Sequence, residues 1–444
     1  MSLFSSLYVG ASGLDATTTE LGVVGDNIAN SSTVGFKSAS TVFADAMAQQ
    51  LVGENGQEGL GVSVQAIQKN FSQGGFTTTG VSTNLAVQGN GLFVVKGNFA
   101  GEDGTYYTRN GQFTIDKNGF LTTLDGLQVQ GLQADATGTV TSGLLGGLEI
   151  GNASAPAAAT SSITIRGNLD QAAVAPPTFD PANPQTTSNF NTSMTVYDSL
   201  GKAIQLNIYF SKTDAADTQA GDSGDWTYHV VTDGANLATE SDGATVATPG
   251  KATEVATGTL QFDAAGKLIS NTTTVNGFNP LAATNPQPLT FDFGSGTLAG
   301  GSGLDGLTQY AANSAVSFVT QEGSSSGSLS GISVGQDGTI TGSFTNGQTR
   351  TLGQVILANF QAPDQLKRDG STLYSEQPAS GAPTLGAPAT ADRGSISAGT
   401  LEQSNVDISN EFVNMIAAQR NFEANAKTLQ TADTLLSELM QLKR

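Results

Sequence analysis

The chain has 444 residues, 38% of them hydrophobic and only 13% charged, with 55 glycines and a formal net charge of −20. A chain this acidic repels phosphate backbones and anionic membrane surfaces, which makes nucleic acid and anionic lipid poor partners. It contains no cysteine and one histidine, His229. Disulfides, thiol catalysis, cysteine-held metals and any site needing two imidazoles are therefore excluded.

The length allows two to four domains. Low charge with abundant Gly and Thr fits turn-rich β-structure better than solvated disorder. No apolar run is long enough to cross a bilayer. The first residues lack the basic region and compact apolar core of a cleaved secretory signal. The expectation is a protein that is cytosolic or exported with its N-terminus retained.

Residues 1–30 read as a helix, with Leu7, Leu14, Leu21 and Ile28 seven apart, the repeat of a stripe that packs on another helix. Gly10, Gly13, Gly22 and Gly25 each weaken that helix by about 1 kcal/mol relative to Ala. The segment therefore depends on neighbours, which small residues allow to approach closely. Asn27 and Asn30, followed by Thr33, Gly35 and Phe36, predict the turn that ends it. Val42 to Leu51 reads as a helical continuation, Gly53 to Gly61 as a break, and Val62 to Ile67 as a strand.

Residues 76–165 read as strands: Leu92 to Val95, Tyr106-Tyr107, Phe113 to Ile115, Phe120-Leu121 and Leu127 to Val129. Asp103-Gly104, Asn110-Gly111, Asn118-Gly119 and Asp125-Gly126 lie between them, and such dipeptides tolerate the positive φ of hairpin turns. Together they predict a meander. Residues 150–190, with Pro176-Pro177, Pro181 and Pro184, read as a domain junction or long loops. Strands resume at Met194 to Tyr197, Ile204 to Phe210, Trp226 to Val231, Gly258 to Phe262 and Leu289 to Phe293. Gly323 to Gly331 marks a return, and residues 332–374 hold a further strand set: Gly338 to Phe344, a turn at Asn346-Gly347, and Leu352 to Phe360. Residues 375–400 read as loop.

From about Ser404 to Arg444 the pattern is again helical. Ile408, Met415, Phe422, Leu429 and Leu436 are seven apart, with Ala418, Ala432 and Leu439 on the flank. Ser404 and Asp407 have capping-box spacing. Two such stripes at opposite termini describe one coiled-coil-like unit with everything else inserted between. An ordinary helical hairpin in a globular core fits the same spacing.

The fold class expected is mainly β with paired terminal α-helices, in a nested multi-domain chain. Residues 1–70 with 400–444 form the helical core domain and its connecting segment. Residues 71–164 with 322–399 form a middle β domain, and residues 165–321 an inserted outer β domain.

No catalytic set emerges. The carboxylates gather at Asp-Gly turns, where they set backbone geometry. His229 follows Trp226 and Tyr228 in an alternating strand, with no nucleophile motif near it. The Gly-x-Gly triplets lack the dinucleotide fingerprint, and the Gly-Asp pairs have no fixed period. No catalytic residue, cofactor or metal is expected.

The stretch Leu21 to Lys37, containing Asn27-Ile28-Ala29-Asn30, Thr33 and Gly35-Phe36, closely resembles the N-terminal signature of the bacterial flagellar rod and hook axial proteins. Leu401-Glu402, Ser404-Asn405-Val406-Asp407, Glu411, Met415-Ile416 and Gln419-Arg420-Asn421-Phe422 are similar to the other end of the same family. So are Leu85 to Val95 and Tyr107 to Phe113. Val196 to Gly201 with Tyr209-Phe210, and Leu352 to Phe360, resemble the hook branch in particular, as does the inserted second β domain. The resemblance is weakest around 150–190, 211–320 and 375–395.

The resemblance implies a non-enzymatic subunit that polymerises helically into a hook, a flexible joint passing torque from rod to filament around an export channel. It implies that Leu7, Leu14, Leu21, Ile28, Ile408, Met415, Phe422, Leu429 and Leu436 hold an inner tube of helices together. Asn27, Asn30, Thr33, Gly35, Phe36, Asn405, Asp407, Gln419 and Arg420 are the signature positions. The partners implied are further copies of the chain, the distal rod protein, the hook cap, the hook–filament junction protein and the flagellar type III export apparatus, with no nucleic acid and no membrane insertion. The location implied is the hook, outside the cell after export. A distal rod subunit shares both terminal motifs, and an extracellular β-rich adhesin shares the composition.

Overall fold

The computed structural model describes residues 3–46, 49–50, 57–135, 137–213 and 222–442. The chain divides into two compact units. One comprises Met1–Ala153, Leu329–Ser343 and Thr349–Arg444, and the other Ser154–Ser328 and Phe344–Gln348.

The first unit holds both long helices, α1 (Leu3–Ala29) and α2 (Ile408–Leu442). α1 ends where Thr33 N bonds Asn30 O and the chain turns through Gly35 at φ 70°. α2 starts at the second residue of the capping pair rather than the first. Asp407 Oδ1 accepts from the N–H groups of Ser409 (2.9 Å) and Asn410 (3.2 Å), two amides that no preceding helical turn can satisfy. Ser404 Oγ instead accepts from Val406 N, short of the helix.

The expected helical continuation after residue 42 is a strand. Ala39–Asp45 pairs antiparallel with Val62–Lys69, with a bulge between Val42 and Phe43. Thr41, Val42 and Phe43 are β-branched or aromatic, and an antiparallel partner outweighs their weak helical spacing. Beyond this ladder Gln49–Gln50 pairs with Gln57–Glu58. Leu51, the far limit of the expected helix, lies outside the described residues.

The rest of the first unit is antiparallel sheet. Leu92–Phe99 pairs with Glu102–Thr108, Gln128–Ala134 and Leu357–Asn359. The first hairpin turns at Ala100-Gly101 (φ 53° and 89°), not at Asp103-Gly104, which pair within the ladder. Two consecutive positive φ values match strand twist in a two-residue loop, and the ladder register selects that pair. Asn110-Gly111 is no hairpin turn either. Gly111 lies where a Cβ would come within 1.6 Å of Leu85 O, so the glycine serves close backbone approach. Gly119 and Gly126 do turn, at φ 85° and 83°. The core contains Leu92, Val94, Tyr107, Ile356, Phe360, Leu366 and Tyr374, with Tyr107 edge-on to Phe360 at 4.8 Å.

Residues 375–400, read as loop, contain strands. Thr384–Gly386 pairs with Leu357–Asn359, and Ser395–Ala398 with Leu85–Gln88. Thr400–Glu402 pairs with Phe76–Thr78. Each is short and finds its partner far away in sequence, so no local alternation reveals it. The Gly/Ser stretch at the return likewise runs into a strand, Gly327–Val334.

The second unit contains, among the described residues, an antiparallel meander of Phe190–Tyr197, Ala203–Thr213, Asp222–Asp233, Ala252–Asp263 and Leu268–Asn276. A smaller sheet centres on Ser162–Asn168, which pairs in parallel with Thr290–Asp292 and Leu307–Thr308 and antiparallel with Ala315–Gln321. Inward residues of both sheets share one core, including Ile163, Ile165, Ile204, Phe210, Trp226, Tyr228, Phe262 and Phe293.

Candidate assembly interface

The two helices lie antiparallel. Gly10 sits beside Thr428 and Leu429, Gly13 beside Asn425, and Asn27 Nδ2 reaches Glu411 Oε1 at 3.2 Å. A Cβ at Gly13 would stand 2.6 Å from Asn425 Nδ2, so the glycine lets α2 lie close. Ala16, Thr17, Val24 and Asn27 complete the buried side of α1. On α2 the facing row is Glu411, Met415, Ala418, Phe422, Asn425, Leu429, Ala432 and Leu436, alternating steps of four and three. That alternation is a heptad seam.

The expected interface residues fall on this frame unequally. Met415, Leu429 and Leu436 are half-buried on the seam, and Phe422 is there but 39% exposed. Ile408 has the seam's spacing, seven before Met415, but is 46% exposed in the first turn of α2. Leu7, Leu14, Leu21 and Ile28 are half-buried on the shoulder of α1, because the glycine side, not the leucine stripe, meets α2. Heptad spacing specifies that a stripe exists; close helix approach selects the smaller side chains for the contact.

The signature positions build the joint at the base of the pair. Asn27 donates to Ala39 O (2.7 Å) and accepts from Ala39 N (3.0 Å), bonding the first residue of the strand as a ladder partner would. Asn30 Nδ2 donates to Asp26, and its Oδ1 accepts from Thr33 Oγ1 at 3.1 Å. Gly35 N donates to Glu402 O at 2.8 Å. Phe36 is buried under the Arg368 guanidinium, 4.6 Å from its ring centre, and Arg368 also pairs with Asp26 at 2.7 Å. Asn405 Oδ1 accepts from Ser38 N (2.8 Å) while its Nδ2 donates to Asn70 O and Ser72. Gln419 and Arg420 are exposed on α2.

At the centre lies an ion triad that residue-by-residue reading of the sequence does not single out. Glu402 Oε1 accepts from Lys37 Nζ (2.7 Å) and Gly74 N (2.9 Å), and its Oε2 from Arg109 Nη1 (3.1 Å). Lys37 also donates to Ser72 O at 2.6 Å, and Arg109 to Gly89 O at 2.6 Å and Val87 O at 3.3 Å. All three side chains are buried, the most open of them 4% exposed. Burial alone pushes the Glu402 carboxyl up; Arg109, Lys37 and the Gly74 amide outweigh it and hold it below the ordinary value. Burial pushes both Lys37 and Arg109 down, against the pull of Glu402. The three come from the turn after α1, the first β hairpin and the strand before α2. The available signal was scarcity: in a chain 13% charged, Glu402 directly follows Leu401 in a short run entering a helix.

Among the described residues no cluster of His, Asp and Glu could hold a metal ion.

Comparison with known proteins gives matches along the chain. Residues 7–37 match a family described as flagella basal body rod protein, and residues 86–174 the flagellar hook protein FlgE/F/G D1 domain. Residues 168–324 match the flagellar basal body protein FlaE D2 domain, and residues 397–442 the flagellar basal body rod FlgEFG protein C-terminal family. The flagellar hook protein FlgE of Escherichia coli K12 is 35% identical over 97% of this chain and 98% of its own. Those of Treponema pallidum and Brucella abortus are 32% and 34% identical over 100% of both chains. With identity above 30% sustained from end to end, this chain belongs to the flagellar hook protein family.

Proposed function

We propose that the chain, as a structural subunit of the bacterial flagellar hook, stacks helically through its terminal helix pair. In this reading the pair lines the inner wall around the export channel. The β part of the first unit forms the middle layer, and the second unit the outer layer. Residues 1–70 with 400–444, 71–164 with 322–399, and 165–321 are the corresponding divisions. Leu7, Leu14, Leu21, Ile28 and the α2 stripe act in contacts between copies as well as within one. The chain works by assembly, without catalysis. It leaves the cell through the flagellar export apparatus and meets the distal rod protein, the hook cap and the junction protein at the ends of the tube.

One observation carries this reading. The helix pair buries glycine and alanine inside while leaving Ile408, Phe412, Val413 and Ile416 between 46% and 65% exposed. Large apolar side chains turned outward on a helix mark a contact yet to be made. Electron microscopy of basal bodies from a strain lacking this gene tests it. Complete rods that end without a hook, in non-motile cells, are expected. Rods that stop short would move the subunit to the distal rod, and normal hooks on swimming cells would overturn the reading.

A further inference from the structure

The exposed apolar residues at the start of α2 form a directed surface. Ile408, Phe412 and Ile416 are four apart, and the same row continues to Arg420. Residues at i, i+4, i+8 and i+12 make one ridge on a helix, of the kind that seats in the groove of another. The seam toward α1 uses Glu411, Met415 and Ala418; the ridge starts at its edge with Ile408 and turns away from it through Phe412 and Ile416 to Arg420.

α1 offers the complementary shape. Thr18, Leu21, Gly22 and Gly25 stand at i, i+3, i+4 and i+7, the outline of a hole that accepts a knob from a neighbouring helix. Gly22 and Gly25 are not needed for the contact with α2: a Cβ at either meets nothing within 4 Å, whereas at Gly13 it meets Asn425. Two glycines in an outward hole leave it deep enough for a large side chain.

Direction and charge agree. Gly10 beside Thr428, Gly13 beside Asn425 and Asn27 beside Glu411 set the register of the pair. That register puts Gly22 level with Ile416 and Gly25 level with Val413. Copies stacked around one axis keep a common direction. A neighbour's α1 then runs antiparallel to α2, the direction in which the two helices already pack within one copy. α1 carries Asp15, Glu20 and Asp26 and no basic residue. Arg420, at the end of the ridge, would bring a positive charge to this acidic helix, and among the described residues neither Arg420 nor Asp15 has an ion-pair partner.

We propose that the ridge Ile408–Phe412–Ile416–Arg420 of one copy seats in the hole formed by Thr18, Leu21, Gly22 and Gly25 of the next copy. The occupant of this apolar face is thus a second copy of the chain, and the proposal rests on the hook-subunit reading.

The absence of cysteine makes the contact testable. The full chain carrying Gly22→Cys with Ile416→Cys is expressed in cells lacking their own hook gene, and isolated hooks are treated with a mild oxidant. A ladder of covalent multimers is expected from the double variant and not from either single one. Hooks that form without a ladder would overturn the docking while leaving the hook reading intact. Failure of the unaltered chain to restore hooks would overturn the hook reading itself. As a second measurement, Gly22→Leu should leave the thermal midpoint of the isolated subunit unchanged or higher, because its side chain meets open space there. It should lower hook yield by about tenfold or more, the equivalent of one lost anchoring contact. Hooks formed by Gly22→Leu at the parent yield would overturn the proposal.

Discussion

The second unit closes around Phe210, Trp226, Tyr228 and Phe262, all wholly buried, whereas the helix pair encloses Gly10, Gly13, Ala16, Ala418 and Ala432 and turns Ile408, Phe412 and Ile416 outward. Fully burying one large apolar side chain contributes about 1.5–3 kcal/mol relative to leaving it in water. The sandwich collects that term within one chain. The helix pair forgoes it and gains close approach instead, leaving its large side chains for another surface. The first arrangement suits a body that must hold its shape alone, the second a rod completed by its neighbours. The polar joint between helix pair and sheet resembles neither. It is held by Lys37 and Arg109, two buried cations that share the Glu402 carboxylate.

Four substitutions sharpen or break this contrast. The largest effect is expected from Phe210→Ala, which empties part of the sandwich core and should destabilise that unit by about 3–5 kcal/mol. Trp226, the single tryptophan and fully buried, reports the transition by its fluorescence in a denaturant titration. An unchanged midpoint would show that the core is not where this unit derives its stability.

Glu402→Gln removes the shared anion and leaves Lys37 and Arg109 buried without a counter-charge. Breaking a buried ion group in this way costs about 3–5 kcal/mol, at or just below the core cavity. Loss should be read as earlier melting of helical circular dichroism, with the Trp226 midpoint as the internal reference. The parent protein should show a matching pH dependence. Glu402 titrates below its ordinary value of 4.5 when folded, so its contribution is complete above about that pH. The contribution is lost as pH falls through the lower folded value, because the unfolded chain then binds the extra proton. Glu402→Gln should flatten the acid limb. An acid limb identical in both proteins would show that the triad does not govern it.

The smallest effects separate the two faces of α1. Gly13→Ala puts a methyl against Asn425 and should destabilise the pair by about 1–3 kcal/mol. Gly25→Ala meets open space and should stabilise it by about 1 kcal/mol through helix propensity. Opposite shifts in the helical melt are expected. Shifts of the same sign would mean that the two glycines share one environment.

Much of this molecule was legible in its residues. Asn118-Gly119 and Asp125-Gly126 turn where positive φ was expected, and Leu92, Tyr106 and Trp226 lie in the strands expected of them. The seam of α2 was readable because Met415, Leu429 and Leu436 repeat with the helix and no Gly or Pro interrupts them. Val42 misled because one weakly periodic stretch cannot show its strand partner, which begins at Val62. Asp103-Gly104 misled because a turn-compatible pair becomes a turn only if the ladder register places it at the end.

The sequence by itself therefore determined the classes of element and their order: helices at the ends, turn-punctuated strands between, and terminal signatures of a flagellar axial protein. These follow from short-range periodicity and backbone preference, which each residue carries with it. Only the tertiary structure decided which side of α1 meets α2, that Gly22 and Gly25 are left open, and that Glu402 meets Lys37 and Arg109, 365 and 293 residues before it. Those outcomes depend on distances between elements, and spacing along a chain cannot encode a distance until the chain has folded.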